Sequence, residues 1–372
     1  MLGIVLTGLL RQTKVWVTLA FVFLVTAQGA ERHLIYAASP GVRNYPEYGG
    51  VGIVVFDADH GYKFVKRIPT WDVPAGQKPE NVKGIAASAR TGIVYVTTLN
   101  HMAAFDILSG KRLWDKTYEG GCDRMAISPD GKTLYVPSLE GPFWNVVNAS
   151  NGDVITKVEP KSGSHNTIWA PDGSRVYLAG LKSPLLNIAD PTNNTIVKTV
   201  GPFSNVIRPF TVNGANTLCF VNINDLLGFE VGDIRTGKKL YRVEIEGEKG
   251  PVKRHGCPSH GIAMTPDETE IWVADSPHNK IYVFDATVMP PRQKTSFAVK
   301  DLPGWITFSI DGRTVYSSSG EVIDARSKRI VTNLKDEQGH DFQSEKLLEI
   351  DVDGNIVVRA GNQFGVGMRL AK

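Results

Sequence analysis

The chain is short of almost every feature that would let one motif name its function. It has only three cysteines in 372 residues, an odd number that leaves at least one thiol unpaired and excludes a disulfide-stapled scaffold. Charge is sparse as well. Charged residues make up 21% of the chain and the formal net charge is +3, so there is no basic field for nucleic acid. The longest basic cluster, Lys253-Arg254-His255, is too short to change that. No Gly-x-Ser-x-Gly elbow and no Gly-x-x-x-x-Gly-Lys-[Ser/Thr] loop occurs, which removes the usual signatures of serine-nucleophile and phosphate-cradling chemistry. Low-complexity stretches and long helix-period segments are also missing, so nothing reads as a linker or a second domain.

Long apolar runs are missing too, with one exception near the start. Arg11 and Lys14 precede Val15-Trp-Val-Thr-Leu-Ala-Phe-Val-Phe-Leu-Val25, and Ala27-Gln28-Gly29 follows as an Ala-x-Ala-like site. A basic segment, an apolar core of this length and small residues after it read as a signal peptide over residues 1–30. The alternative is an uncleaved anchor, although the run is short for a spanning helix. With the leader removed, no membrane span is expected, and the rest is expected to be periplasmic or secreted.

What the chain does have is a repeat. A small-residue strand, a Pro-Asp-Gly-type turn and a strand rich in β-branched and aromatic residues recur, most clearly in Met125-Ala-Ile-Ser-Pro-Asp-Gly-Lys-Thr-Leu-Tyr-Val136 and Ile168-Trp-Ala-Pro-Asp-Gly-Ser-Arg-Val-Tyr-Leu178. Taking the residue before each turn as a marker gives Ser88, Ser128, Ala170, Thr211, Thr265, Ser309 and Asp351, at intervals of 40, 42, 41, 54, 44 and 42 residues. A period of roughly 40 to 45 residues with four short strands per unit is that of a β-propeller blade. Proline sets the turn entry, aspartate bonds its own backbone and glycine takes positive φ, so the first two strands form a tight hairpin. The aspartates that close the third strands, Asp57, Asp106, Asp285 and Asp324, read as turn-formers.

The ends of the chain complement each other. His33-Leu-Ile-Tyr-Ala-Ala-Ser39, Ile53-Val-Val-Phe-Asp57 and Phe64-Val-Lys-Arg-Ile68 read as strands B, C and D with no A strand before them. The missing A strand is on period at the other end, in Leu347-Leu-Glu-Ile-Asp-Val-Asp-Gly354. Pairing the two ends closes residues 31–372 into an all-β, seven-bladed propeller of four-stranded blades and removes the open edges. Ile356-Val-Val-Arg-Ala360 reads as one further strand with no assigned place.

At Leu134-Tyr-Val136, Val176-Tyr-Leu178 and Ile271-Trp-Val-Ala-Asp275 the chain resembles the bacterial YVTN-repeat seven-bladed propellers, from about residue 33 to 372. The resemblance implies an architecture but no single activity. That superfamily includes lactonases, cyclising and lyase enzymes, haem- or copper-binding modules and plain binding domains, so function has to be argued from the site. In such propellers the inner strands line a central channel, and the connections before them gather at one mouth. Five residues before each marker stand Lys83, Asp123, His165, Val206, His260, Gly304 and Lys346, of which five are ionisable. Arg208, Trp305 and His340 lie close by in sequence.

These residues support more than one reading. The expected function is a ligand- or partner-binding module working through the polar, histidine-bearing mouth, for a small molecule or another exported protein, with the propeller a monomer. The alternative is an enzyme of the lactonase or lyase kind, with His165, His260, Arg208 and Asp123 as acid, base and charge-stabilising groups. A third reading comes from the 54-residue interval, whose extra length brings His255, Cys257 and His260 together in the order His-x-Cys-x-x-His. Imidazole and thiolate suit copper or zinc, and His165 or Cys122 would complete the set. The structural alternative for the same residues is a backbone-bonded histidine beside a buried thiol. The aromatic loop Gly41 to Gly50 is expected either to wall the ligand site with Arg43, Tyr45 and Tyr48, or to pack on itself.

Overall fold

A computed structural model describes residues 31–248 and 257–369. The expected leader and His255 lie outside the described residues. Seven antiparallel sheets form the ring, six of four strands and one of five. Helix among the described residues is confined to two short 3-10 turns, Pro46–Tyr48 and Ala58–His60, so none is long and apolar enough to cross a membrane. The first strands of the blades are Leu347–Asp353 in blade 1, then Gly84–Ser88, Ala126–Ile127, Ser164–Trp169, Ile207–Val212, Ser259–Met264 and Ile306–Phe308 in blades 2 to 7, and each is innermost except that of blade 1.

The aromatic residue at the centre of each second strand explains why the blades stack. Tyr36, Tyr95, Tyr135, Tyr177, Phe220, Trp272 and Tyr316 are all buried, one per blade. Each ring puts apolar area between sheets, worth about 1.5–3 kcal/mol for a fully buried side chain of this size. The hydroxyls add a directional bond into the next blade. Tyr36 donates to the Ile107 carbonyl at 2.9 Å, Tyr95 to Ala149 at 3.2 Å and Tyr177 to Asn216 at 3.0 Å, and Tyr135 donates to Asn194 in the same way. A phenol is therefore more than filler here, since its buried O–H needs a partner and finds one across the blade gap.

The hairpin turns follow the sequence chemistry. In blade 3, Gly131 has φ 74° and its N–H donates to the Ser128 carbonyl at 2.8 Å, while Ser128 Oγ donates to Asp130 at 2.6 Å. Blade 5 departs from the expected marker. The hairpin there closes on Asn213, whose N–H donates to Leu218 O at 3.1 Å as Ser128 N does to Thr133 O at 2.8 Å and Thr265 N to Glu270 O at 2.9 Å. Asn213-Gly214 does the work of Pro-Asp-Gly in that blade, and without the proline the phrase slides by two residues. The blade 5 residue equivalent to His165 and His260 is accordingly Arg208 and not Val206.

Ring closure is as expected. Arg32–Ser39 pairs with Leu347–Asp353 in register from Arg32↔Val352 to Ala37↔Leu347. The unplaced strand Ile356–Ala360 folds back on Leu347–Asp353 as a fifth strand, inside the ring. The chain beyond it then crosses the channel. Gln363 accepts from Ile85 N at 3.2 Å and donates to Met125 O at 3.3 Å, and its carbonyl accepts the Trp305 indole N–H at 2.5 Å. Further on, Gly365 O accepts from Met264 N at 2.9 Å and Gly367 N donates to Val212 O at 2.9 Å. An inner strand is a sheet edge with unpaired backbone groups. The tail satisfies such groups on four blades and the Trp305 indole on a fifth, and Phe364 packs into the core beside Trp305 with ring centres 5.6 Å apart.

Candidate functional site

Three inner strands carry a β-bulge at the same end, two on the predicted His165 and His260 and the third on Arg208, two residues beyond the predicted Val206. The register shifts between Ser164 and Asn166, between Ile207 and Phe210, and between Ser259 and Gly261. His165 and His260 are the extra residues, and Arg208 with Pro209 spans the third. A bulge leaves one residue out of the ladder and re-aims its side chain. In this way the ladder is interrupted in successive blades where the inner strand begins.

Asp123 and His165 form the tightest pair of the site, Oδ2 to Nδ1 at 2.5 Å, with Lys83 Nζ 3.6 Å from the other carboxylate oxygen. Burial by itself would push the Asp123 carboxyl up. The charges of His165, Lys83 and Arg124 outweigh it and hold the group at about 2. The His165 imidazole is lowered, first by burial and against the pull of Asp123, with the Arg124 and Lys83 charges adding to the effect. An ionised Asp123 beside a neutral His165 is the consistent state: Nδ1–H donates to the carboxylate, which turns the Nε2 lone pair outward. No hydrogen bond to Nε2 is found among the described residues. Asn166, next in the strand, is fully buried with both side-chain polar atoms unpartnered among the described residues. Such orphaned groups are rare in interiors and call for a partner such as a ligand or water.

A second network faces the first. Arg124 donates to Glu345 at 2.7 Å and lies 4.1 Å from the centre of the Trp305 ring. Lys346 donates to the same Glu345 oxygen at 2.9 Å and to Gly41 O at 2.9 Å. Burial pushes the Lys346 ammonium down to about 7, with Glu345 opposing and Arg124 and Lys83 reinforcing the drop. His260 engages Gly304 O through Nδ1 at 2.8 Å. A Cβ on Gly304 would stand 2.6 Å from Glu345 Oε1, so glycine there lets the carboxylate approach. Lys83, Glu345 and His165 keep 16, 10 and 9% of their side-chain surface, against 4% for Arg124 and Lys346. An incoming molecule would meet the first three.

The structure thus brings together Lys83, Asp123, His165, His260, Trp305 and Lys346. Arg208 is half-buried, its Nε donating to Asn224 at 2.6 Å, and burial lowers it while the charges of Glu140 and Asp225 oppose that. His340 is not in the cluster: it is exposed in a turn, with Nδ1 3.5 Å from Asp336. The Gly41 to Gly50 loop packs on itself, Tyr45 and Tyr48 meeting edge to face at 6.0 Å, and Arg43 is exposed. That loop reaches the mouth through the Gly41 carbonyl. Sequence reasoning missed Arg124, Glu345 and Gln363. The first two had a readable signal, since Asp123-Arg124 and Glu345-Lys346 are adjacent opposite charges placed just before inner strands.

Of the expected metal set, Cys257 and His260 are described, and each engages a backbone carbonyl. Cys257 Sγ donates to the Ser259 carbonyl at 2.7 Å, and burial pushes its thiol up. Cys122 and Cys219 are also buried and free, with Cys122 in an apolar cluster. Among the described residues one other group has metal-ligand spacing, Glu31, His33 and Asp351, whose donor atoms lie within 4.8 Å of one another. Arg359 already pairs with both of its carboxylates.

Neither a protein-family model nor a curated protein sequence matches the chain. Among solved structures it is similar to hydrazine synthase from Kuenenia stuttgartiensis, with a TM-score of 0.60 and 13% identity, covering 76% of this chain and 89% of that one. At that identity the likeness supports the propeller fold alone.

Proposed function

We propose that the protein is an exported propeller of the YVTN-repeat kind that binds a small organic anion at the channel mouth. The observation that carries this reading is the buried Asp123 and His165 pair, 2.5 Å apart, set among cations. Lys83, Arg124 and a partly charged Lys346 outnumber Asp123 and Glu345 in the two facing networks, so the mouth favours negative charge. His165 offers Nε2 as an acceptor, so a ligand that brings one proton donor beside its carboxylate meets both needs. The Gln363 and Phe364 crossing closes the far side of the channel, which leaves a single polar entrance.

Thermal shift with citrate, malonate and acetate tests it. At least one polycarboxylate should raise the melting temperature in a saturable way, and Lys83→Met and His165→Gln should each weaken that effect about tenfold or more. No shift with any of the three, or shifts unchanged in both variants, would remove the reading. Export is tested separately, by whether protein recovered outside the cytoplasm begins near residue 31.

A second reading is favoured by the same pair. A carboxylate that orients a neutral imidazole is the arrangement of a general base, with Lys83 placed to stabilise negative charge on a ring-opening carbonyl. Turnover of δ-valerolactone that disappears in His165→Gln while the variant melts as the parent does would make the mouth an active site. Absence of turnover leaves it a binding site.

A further inference from the structure

The opposite face of the propeller carries a different chemistry. Where the inner strands end, the hairpin turns of blades 2, 3, 4, 6 and 7 and the crossing tail enclose an open bowl of about 420 Å³. That is within the range of small-molecule sites, roughly 300–1,000 Å³. Its wall is apolar, made by Ile127, Trp169, Phe308, Ile310, Val358 and Val366. Val358 and Met368 stand 43 and 54% exposed at it, although the chain has apolar surroundings a few residues away at Phe364 and Val366.

Among the described residues, one charged side chain, Arg90, lines this bowl. It is exposed and makes no hydrogen bond or ion pair among the described residues. The acid whose charge it meets, Asp130, is already engaged by Ser128 Oγ and Lys132 N. Trp169 lines the bowl with its ring, packed edge to face on Tyr135 with centres 5.4 Å apart, and its indole N–H is buried away from the hollow. One exposed cation therefore stands at the rim of an apolar hollow.

We infer that this bowl is a second ligand site, for an amphipathic carboxylate whose chain or ring fills the apolar wall and whose head pairs with Arg90. The assignment is independent of the polar mouth, which lies at the other end of the inner strands and selects for small, strongly hydrated anions. Apolar area removed from water supplies the affinity, and the single cation at the rim selects the charge and orientation of the head.

Isothermal titration with decanoate, and with 1-decanol as the uncharged control, tests the inference on the full chain. Decanoate should bind saturably at one site per chain. Arg90→Glu should weaken decanoate at least tenfold and leave decanol unchanged, Ala89→Trp should abolish both by filling the hollow, and His165→Gln should change neither. Arg90 is exposed, so its variant tests the head group without disturbing the fold. The inference fails if decanoate does not saturate, if Arg90→Glu and Ala89→Trp both bind as the parent, or if His165→Gln abolishes binding. It also fails if binding occurs only after residues 370–372 are removed, for the bowl would then belong to the end of the chain itself.

Discussion

Arg124 and Trp305 stack across the channel, the guanidinium carbon 4.1 Å from the indole centre, although they belong to blades 3 and 7. The same guanidinium donates to Glu345 in front of the blade 1 inner strand at 2.7 Å. Stacking between adjacent sheets is what any propeller uses. This side chain adds a link between blades that do not touch in sequence order.

Arg124→Ala should therefore cost about 3–5 kcal/mol, because it removes a buried charge partner 2.7 Å from the Glu345 carboxylate. Arg124→Lys should recover part of that loss, since it restores the charge without the planar stack. Urea denaturation of the three proteins checks both. An unchanged midpoint in Arg124→Ala would show that the cross-channel link contributes nothing.

His165 should be neutral at pH 7 with its proton on Nδ1, as burial and its cationic neighbours require. Removing the facing charge in Asp123→Asn takes away the main influence that raises the ring, so its titration should move further down. Nitrogen-15 resonances of the imidazole report both tautomer and charge. A doubly protonated ring at pH 7 in the parent protein is the outcome that contradicts this electrostatic account.

Glu349 gives a pH dependence of opposite sense to an ordinary paired carboxylate. Burial, and then the charge of Asp351, raise it from 4.5 to about 8 in the folded protein. A group raised on folding contributes stability that is fully present below 4.5 and is lost as pH rises through about 8. Glu349→Gln stays neutral and keeps an oxygen for the Ile310 N–H, which Glu349 accepts at 2.9 Å. Relative to this variant, the parent should lose stability steadily between those two values. Parallel denaturation curves at every pH would refute the assignment.

Two truncations separate ring closure from the channel crossing. A chain ending at Gly354 keeps Leu347–Asp353 paired with Arg32–Ser39 and should still melt in one cooperative transition, at a lower temperature because the fifth strand and Gln363 are gone. A chain ending at Lys346 leaves Arg32–Ser39 without its inner partner and should lose that transition. Circular dichroism melts distinguish the two. Equal melting of both would mean that the closing strand is dispensable.

The site was only half legible before the fold was known. Lys83, Asp123, His165, His260 and Lys346 could be picked out because an ionisable residue beside a close-packed inner strand contradicts its surroundings. Arg208 stood out only as a neighbour, since the Asn213-Gly214 turn lacks the proline that keeps the phrase in phase. Nothing local shows that Arg124 crosses the channel or that Gln363 closes it, because both depend on contacts between residues 181 and 238 positions apart along the chain.

Local chemistry therefore determined the strands, the hairpin turns and the number of blades, for these follow from side-chain alternation and turn residues a few positions apart. It also determined the closure, because a blade lacking its first strand and a strand lacking its blade stand at the two ends of one chain. Only the tertiary structure decided the protonation of Asp123 and His165, the cross-channel pairing of Arg124, the crossing tail and the apolar bowl behind it. Those depend on which distant groups share a low-dielectric interior, and that is set by the angle between blades and the path of the last residues, which sequence spacing does not specify.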